Sequence, residues 1–143
     1  MRASKVTHSI GGVKISGESI DISKDGNLVV TPGGPKGEGI KIWDFRDMTT
    51  PLKTINWIQD GGKAFNPSVF CTKFIPGQNL VLVGAEDEYA AKCFNFASGD
   101  IVEKFSKVKE SCYTLDVSED ASMCCFGDKN GQIHFENINY TEN

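Results

Sequence analysis

The fold of this 143-residue chain is predicted by the stretch Cys71-Thr72-Lys73-Phe74-Ile75-Pro76-Gly77-Gln78-Asn79-Leu80-Val81-Leu82-Val83-Gly84. Its first part alternates apolar and polar residues, its middle is a Pro-Gly-Gln-Asn turn, and its end is an almost continuous apolar run. Alternation and β-branched residues favour strands, and the turn residues suit a tight reversal of the chain. The stretch therefore predicts two antiparallel strands joined by a turn.

The same pattern occurs twice more, in residues 19–30 and 113–127. Phe74 follows Ile22 by 52 residues, and Val117 follows Phe74 by 43 residues. A third strand is predicted in every unit, over 40–45, 91–96 and 133–138, and a fourth in the first two units, over 52–55 and 101–105. Short strands in groups of four, recurring every ~40–50 residues, are typical of β-propeller blades.

Two short motifs carry a resemblance to a known family. Trp43-Asp44 resembles the dipeptide that ends the third strand of a blade in WD40-repeat β-propellers, and residues 127–133 resemble the hairpin that precedes that strand. Phe94-Asn95 and Glu136-Asn137 stand at the corresponding places of the other two units. The resemblance implies an all-β propeller segment and structural roles for Trp43, Asp44, Phe94, Asn95, Asp128 and Asn137. Residues 12–18 also resemble stretches of ciliary and flagellar WD-repeat proteins.

The predicted strands make about three four-stranded blades. Blade one covers 11–57, blade two 68–107, and blade three 108–139, which lacks its outer strand. An additional strand, Lys5–Ile10, is predicted to be an outer strand that completes a last blade. Since a propeller needs at least about four blades, we expect the ring to be completed by a second copy, joined head to tail, or by a longer WD-repeat chain. A fragment of a longer protein would show the same pattern.

Composition narrows the possible partners and compartments. The formal net charge is −4, without a dense basic run, which argues against nucleic acid binding. No apolar stretch approaches the ~20 residues of a membrane span, and the N-terminus does not resemble a secretory signal. The five cysteines lie in apolar runs without paired spacing and are predicted to be buried, reduced thiols. We therefore expect a cytoplasmic protein, in a cilium or on the cytoskeleton if the ciliary resemblance holds.

No catalytic, metal or cofactor site is predicted. The glycine-rich run 33–39 places a strand after its lysine, where a phosphate loop needs Ser or Thr and a helix, so a flexible hairpin is expected. His134 is predicted to point outward relative to Ile133, in a surface or interstrand role. The acidic run Glu86–Glu88 is predicted to be a solvated turn, with a weak cation site as the alternative.

The predicted function is a non-catalytic protein–protein interaction scaffold in a multi-protein assembly. The candidate binding residues Trp57, Ile58, Lys63 and Phe65 lie in the long polar loop 56–67, which joins blades one and two. Trp57 has a second interpretation, as a lid on the core beneath that loop. The alternative functions are a structural component of a ciliary or axonemal complex and, less favoured, a fragment of a propeller enzyme.

Overall fold

The computed structural model describes residues 8–34, 38–58, 62, 65, 67–86 and 89–140, and this part of the chain is all-β. The all-β prediction is confirmed. Eleven strands are found in it: β1 Asp21–Ile22, β2 Leu28–Pro32, β3 Glu38–Asp44, β4 Lys53–Asn56, β5 Val69–Phe74, β6 Leu80–Ala85, β7 Ala91–Asn95, β8 Ile101–Lys104, β9 Cys112–Val117, β10 Met123–Asp128 and β11 Ile133–Asn137.

The strands form three antiparallel sheets that follow one another along the chain. The first sheet contains β1 to β4, the second β5 to β8, and the third β9 to β11, and each strand pairs with the next one in sequence. The three sheets lie within the predicted units 11–57, 68–107 and 108–139. The third sheet has three strands in the described residues.

The turn between the first two strands of a sheet is repeated in its details. In the first sheet the Asp25 carboxylate accepts hydrogen bonds from the Ser23 hydroxyl and the Asn27 amide. In the third sheet Asp120 accepts from Ser118 and Ser122 in the same way. The Ser118 hydroxyl bond comes first among the causes that lower the pKa of Asp120 to about 2. The residue after each aspartate has positive φ, 74° at Gly26 and 58° at Ala121, a conformation that glycine adopts at the least cost.

The sheets pack face to face, and two apolar cores lie between them. We call the face of a sheet that points toward the next sheet its front face, and the opposite one its back face. The first core joins the front of the first sheet to the back of the second; it includes Val30, Ile40, Ile42 and Ile55 on one side and Val81, Val83, Ala85 and Phe94 on the other. The second core joins the front of the second sheet to the back of the third; it includes Cys71, Leu80, Leu82 and Cys93 on one side and Leu115, Cys124 and Phe126 on the other.

The position of the second sheet explains why β6 is apolar throughout. Successive side chains of a strand point to opposite faces, and both faces of this sheet are covered. Val81 and Val83 lie in the first core, whereas Leu80 and Leu82 lie in the second. A strand that is buried on both faces has no polar alternation, which is the pattern of this stretch.

The segment before β1 differs from its prediction. Lys5–Thr7 lie outside the described residues, and His8–Ile10 form no strand there. These three residues lie beside the first sheet. The centres of the His8 and Phe45 rings are 6.0 Å apart, and His8, Ser9 and Ile10 line a cavity together with Trp43. The apolar ring of Trp43 offers the segment a surface to cover, which strand propensity alone does not reveal.

Farther along, this segment reaches the second sheet. The Lys14 amide donates to the Gly33 carbonyl. Glu18 forms a parallel β-bridge with Cys71, and the backbone carbonyl of Glu18 accepts a hydrogen bond from the Thr72 amide.

Among the residues described, no helix has the length and apolar character that crossing a membrane requires.

Candidate functional site

The front face of the third sheet is an exposed apolar surface. Ile133 and Phe135 are 66% and 64% exposed, and Met123 is also exposed. Cys125 is half-buried. We call these four residues the open face.

The strand register fixes which side chains belong to the open face. Cys124 and Phe126 point into the second core, so the alternate residues Met123 and Cys125 point the other way. Phe135 pairs with Cys125, and cross-strand partners share a face. Ile133, two residues before Phe135, therefore also lies on the open face.

The corresponding positions of the other two sheets are buried. Ile133 corresponds to Ile40 and Ala91, which are 1% and 0% exposed. Phe135 corresponds to Ile42 and Cys93, which are 2% and 0% exposed. Each of those residues is covered by the back face of the following sheet. The open face thus has the composition of a sheet–sheet contact, and no sheet formed by the described residues covers it.

The edge of the third sheet lies next to the open face. β11 pairs with β10 and, within the part of the chain that the structure describes, with no fourth strand. The chain continues from β11 toward the second sheet, where Ile138 and Tyr140 pack on the second core and the Tyr140 hydroxyl donates to the Glu103 carboxylate. Burial raises the pKa of Tyr140, and its bond to Glu103 adds to that shift.

His134 is oriented opposite to its prediction. Its side chain is 16% exposed, and its Nε2 lies 2.9 Å from Oδ2 of Asp128, whose side chain is 2% exposed. Ile133, which was expected to point inward, is the exposed neighbour. Alternation places the two side chains on opposite faces, but it does not tell which face another sheet covers. The interstrand role that the sequence allows for His134 is nevertheless its observed one.

Asp128 organises the β10–β11 turn. Its Oδ1 accepts from the backbone amides of Asn130 and Gln132, and its Oδ2 accepts from His134. The His134 bond is first among the causes that lower the pKa of Asp128, and the amides of Gln132 and Asn130 add to it. The structural role that the resemblance implies for Asp128 is consistent with this geometry.

The lowered pKa of Asp128 makes the stability of the fold depend on pH. A carboxyl whose pKa is lower in the folded state stabilises it above the unfolded pKa, about 3.9 for Asp, and this contribution is lost as the pH falls through the folded value. We expect Asp128→Asn to unfold at a lower urea concentration than the wild type at pH 6, and we expect the difference between the two urea midpoints to narrow below about pH 4. Urea unfolding at pH 6 and at pH 3, followed by circular dichroism, measures the two midpoints. Glu119→Gln, in an exposed turn, is the control, and a gap that stays constant with pH would contradict the prediction.

The other positions named by the resemblance differ in their surroundings. Trp43 is buried, and its Nε1 donates to Thr31 Oγ1. Asp44 accepts from the amide and the guanidinium of Arg46, and the guanidinium bond is the main cause that lowers the pKa of Asp44 to about 2. Asn95 accepts from the amides of Ala97 and Ser98. Phe94 lies in the first core, and Asn137 is exposed at the end of β11.

The residues of the predicted binding loop differ in how far they are buried. Trp57 is 0% exposed and belongs to the first core, as its second interpretation has it. The Lys92 ammonium lies 3.8 Å from the centre of the Trp57 ring and donates to the Ile58 carbonyl. The Ile58 side chain is exposed and Phe65 is half-buried. Lys63 lies outside the described residues.

The five cysteines are free thiols, and four of them are buried. Cys71 and Cys112 lie on neighbouring sheets, with their sulfur atoms 3.9 Å apart. Hydrogen bonding to Cys112 and burial raise the pKa of Cys71, and burial raises that of Cys93 to about 12. Thiols held in this protonated form are poor nucleophiles and poor metal ligands.

Among the residues that the structure describes, no group of three or more His, Cys, Asp or Glu side chains is placed to hold a metal ion. In the acidic run 86–88 only Glu86 is described, and its amide donates to the Ser68 carbonyl. Of the glycine-rich run 33–39, Gly33 and Gly34 follow β2, Glu38 and Gly39 begin β3, and residues 35–37 lie outside the described residues.

Comparison with models of known protein families and with curated protein sequences finds no match to this chain. The arrangement of its own residues must therefore support any functional proposal. The open face was absent from the predicted site residues, although a signal for it existed. Ile133 and Phe135 align with Ile40 and Ile42, and this shared apolar pair indicates a surface that packs against another sheet.

Proposed function

We propose that this chain is a WD40-like β-propeller segment that serves as a non-catalytic protein–protein interaction module. In this proposal the three sheets are consecutive blades, and the open face binds a β-sheet of another polypeptide, which is a second copy or a longer WD-repeat chain. The observation that carries the proposal is the exposure of Ile133 and Phe135 at positions whose equivalents are buried in the other sheets.

The order of the sheets supports the interpretation as blades. Each sheet is a meander of strands paired in sequence, and the first strand of each sheet lies beside the first strand of the next, β1 beside β5 and β5 beside β9. Radial repetition of such meanders around their first strands is the architecture of a propeller. Because each blade contacts only its neighbours, an end blade without a neighbour leaves apolar residues in water.

The energy of burial favours a partner at the open face. Covering a side chain such as Ile133 or Phe135 is worth about 1.5–3 kcal/mol. Large aromatic residues at the centre of an interface are typical of binding hot spots, and Phe135 stands in the middle of the edge strand. Contiguous exposed apolar patches are a feature of protein interaction sites.

The polar groups of the third sheet support a non-catalytic role. The two carboxylate oxygens of Asp128 are engaged by the turn amides and by His134. A group whose bonds maintain a turn is poorly placed to exchange protons with a substrate, since that exchange would break the turn. The proposed role of this pair is to hold the β10–β11 hairpin, and with it the open face, in shape.

A substitution on the open face tests the proposal. We expect Phe135→Asp to weaken binding of the protein partner at least tenfold, because a carboxylate would have to lose its water in an apolar contact. Leu52→Asp is the matched control, since Leu52 is 60% exposed, stands immediately before β4 of the first sheet, and lies away from the open face. Tagged wild-type and variant proteins are compared by affinity capture with quantitative mass spectrometry, and by sedimentation of the purified chains.

The proposal requires different results for the variant and the control. We expect a partner protein that the wild type captures to be lost with Phe135→Asp and to be retained with Leu52→Asp. If the wild type and Phe135→Asp sediment alike and recover the same proteins in the same amounts, the open face is ordinary surface and the proposed function is wrong.

A further inference from the structure

The back face of the first sheet is the other end of the row of sheets, and it is covered by the chain itself. Val29, Thr31 and Trp43 lie on this face, opposite the side chains that enter the first core. Residues 8–14, which we call the strap, lie beside this face. His8–Gly11 line a cavity of about 550 Å³ together with Trp43 and residues 46–49.

The covered face corresponds to a surface that binds a sheet elsewhere in the chain. Val29, Thr31 and Trp43 align with Val81, Val83 and Phe94 of the second sheet. Those three residues form the back face that packs on the front of the first sheet. The back face of the first sheet therefore has the residue pattern that receives a front face, with the Trp43 ring in the place of the Phe94 ring.

The strap is held by hydrogen bonds at Lys14, whose ammonium donates to Ser68 Oγ over 3.3 Å. The Lys14 amide donates to the Gly33 carbonyl over 3.0 Å. The side chains of His8 and Ser9 and both glycines, Gly11 and Gly12, are exposed, and the cavity separates part of the strap from Trp43. A segment with little buried apolar area has a low free energy of local opening.

We propose that the strap occupies the docking surface for a second copy of this chain, whose open face would bind the back face of the first sheet once the strap moves away. The inference rests on the proposed function, because it assumes that the open face binds a sheet. The occupant follows from continuity with the two sheet–sheet contacts inside the chain, where the front face of one sheet meets the back face of the next each time. With the strap in place the head-to-tail contact is blocked, and the open face remains available to other chains.

A substitution that removes one backbone hydrogen bond tests the strap. Lys14→Pro eliminates the amide that donates to Gly33, whereas Lys14→Ala keeps this amide and removes only the side chain. We expect Lys14→Pro to lower the dissociation constant for self-association at least tenfold relative to Lys14→Ala. Sedimentation velocity over a series of concentrations measures the constant, with the 15.6 kDa monomer as the reference species.

A second variant acts on the strap from the opposite side. A Cβ at Gly34 would stand 2.8 Å from Oε2 of the flexible Glu38 side chain and 2.9 Å from the Gly12 carbonyl oxygen. The Glu38 carboxylate can swing aside, whereas the Gly12 backbone cannot, so Gly34→Val should push the strap off the sheet and should promote self-association in the same way. Adding Phe135→Asp to either variant should abolish the association, since the open face of one copy would no longer fit the back face of the other.

The outcomes separate this inference from the proposed function. If Lys14→Pro and Gly34→Val are folded by circular dichroism but associate no more tightly than Lys14→Ala, the strap does not compete with a second copy. If they associate and Phe135→Asp has no effect, the contact lies elsewhere. In both cases a loss of partner capture with Phe135→Asp alone would still support the proposed function.

Discussion

Replacing Trp57 with alanine is expected to lower the free energy of unfolding by about 3–5 kcal/mol. Trp57 is fully buried in the first core, where its ring lies 5.8 Å from the ring of Phe94. The ring also makes a cation–π contact with the ammonium of Lys92, a residue that is itself buried. Its removal leaves a cavity and takes away the aromatic surface that stabilises a buried cation.

Urea unfolding followed by circular dichroism measures the effect at Trp57. Ile58→Ala is the control, since the Ile58 side chain is 44% exposed in the same loop and should change the free energy of unfolding by less than about 0.5 kcal/mol. A Trp57→Ala protein of unchanged stability that no longer binds its partner would restore the interpretation of Trp57 as an interface residue.

Gly84→Ala is expected to destabilise the fold by about 1–3 kcal/mol through overpacking. Gly84 lies on β6 opposite Cys71, and a Cβ there would come within 3.0 Å of the sulfur atoms of both Cys71 and Cys112. Both sulfurs are enclosed in the second core, so neither can move away without disturbing the contact between the second and third sheets.

The crowding at Gly84 can be separated from an effect of alanine itself. In a Cys71→Ala/Cys112→Ala background the added methyl has room, so the same substitution should cost much less. Gly11→Ala is the control at a site where a Cβ would meet nothing within 4 Å, and thermal unfolding of the five proteins measures the differences. An equal loss of stability in both backgrounds would mean that the sulfurs are not the cause.

The pattern of strands and turns, which occurs three times along the chain, could be predicted from local sequence. Ser23-Lys24-Asp25-Gly26 and Ser118-Glu119-Asp120-Ala121 contain the hydroxyl, the carboxylate and the positive-φ residue that close each turn, so no distant contact is needed to recognise them. Each strand can likewise be predicted from its own residues, which either alternate between apolar and polar or form a continuous apolar run. These features depend on neighbours within a few residues, and for this reason the expected order of strands over residues 19–138 agrees with the structure. The strand expected over Lys5–Ile10 is the exception, since its described residues, His8–Ile10, form none.

The candidate site could be predicted only in part. Trp57 was recognised as important, but its role depends on whether the loop lies over it, and a loop closes through contacts such as the Phe65 amide to the Trp57 carbonyl. The open face was overlooked because Ile133 and Phe135 have the same character as the buried Ile40 and Ile42. An apolar side chain has the same sequence signature whether or not another sheet covers it.

The sequence by itself determined the strands, the turns and the grouping of strands into three sheets, because strand alternation and turn chemistry act over short distances along the chain. Only the tertiary structure decided which faces are covered, since burial depends on what lies on the other side of a sheet. It turned His134 inward to Asp128, left Phe135 in solvent, and placed His8–Ile10 beside Trp43 and not on a sheet edge. Coverage comes from distant residues, and alternation along one strand carries no information about them.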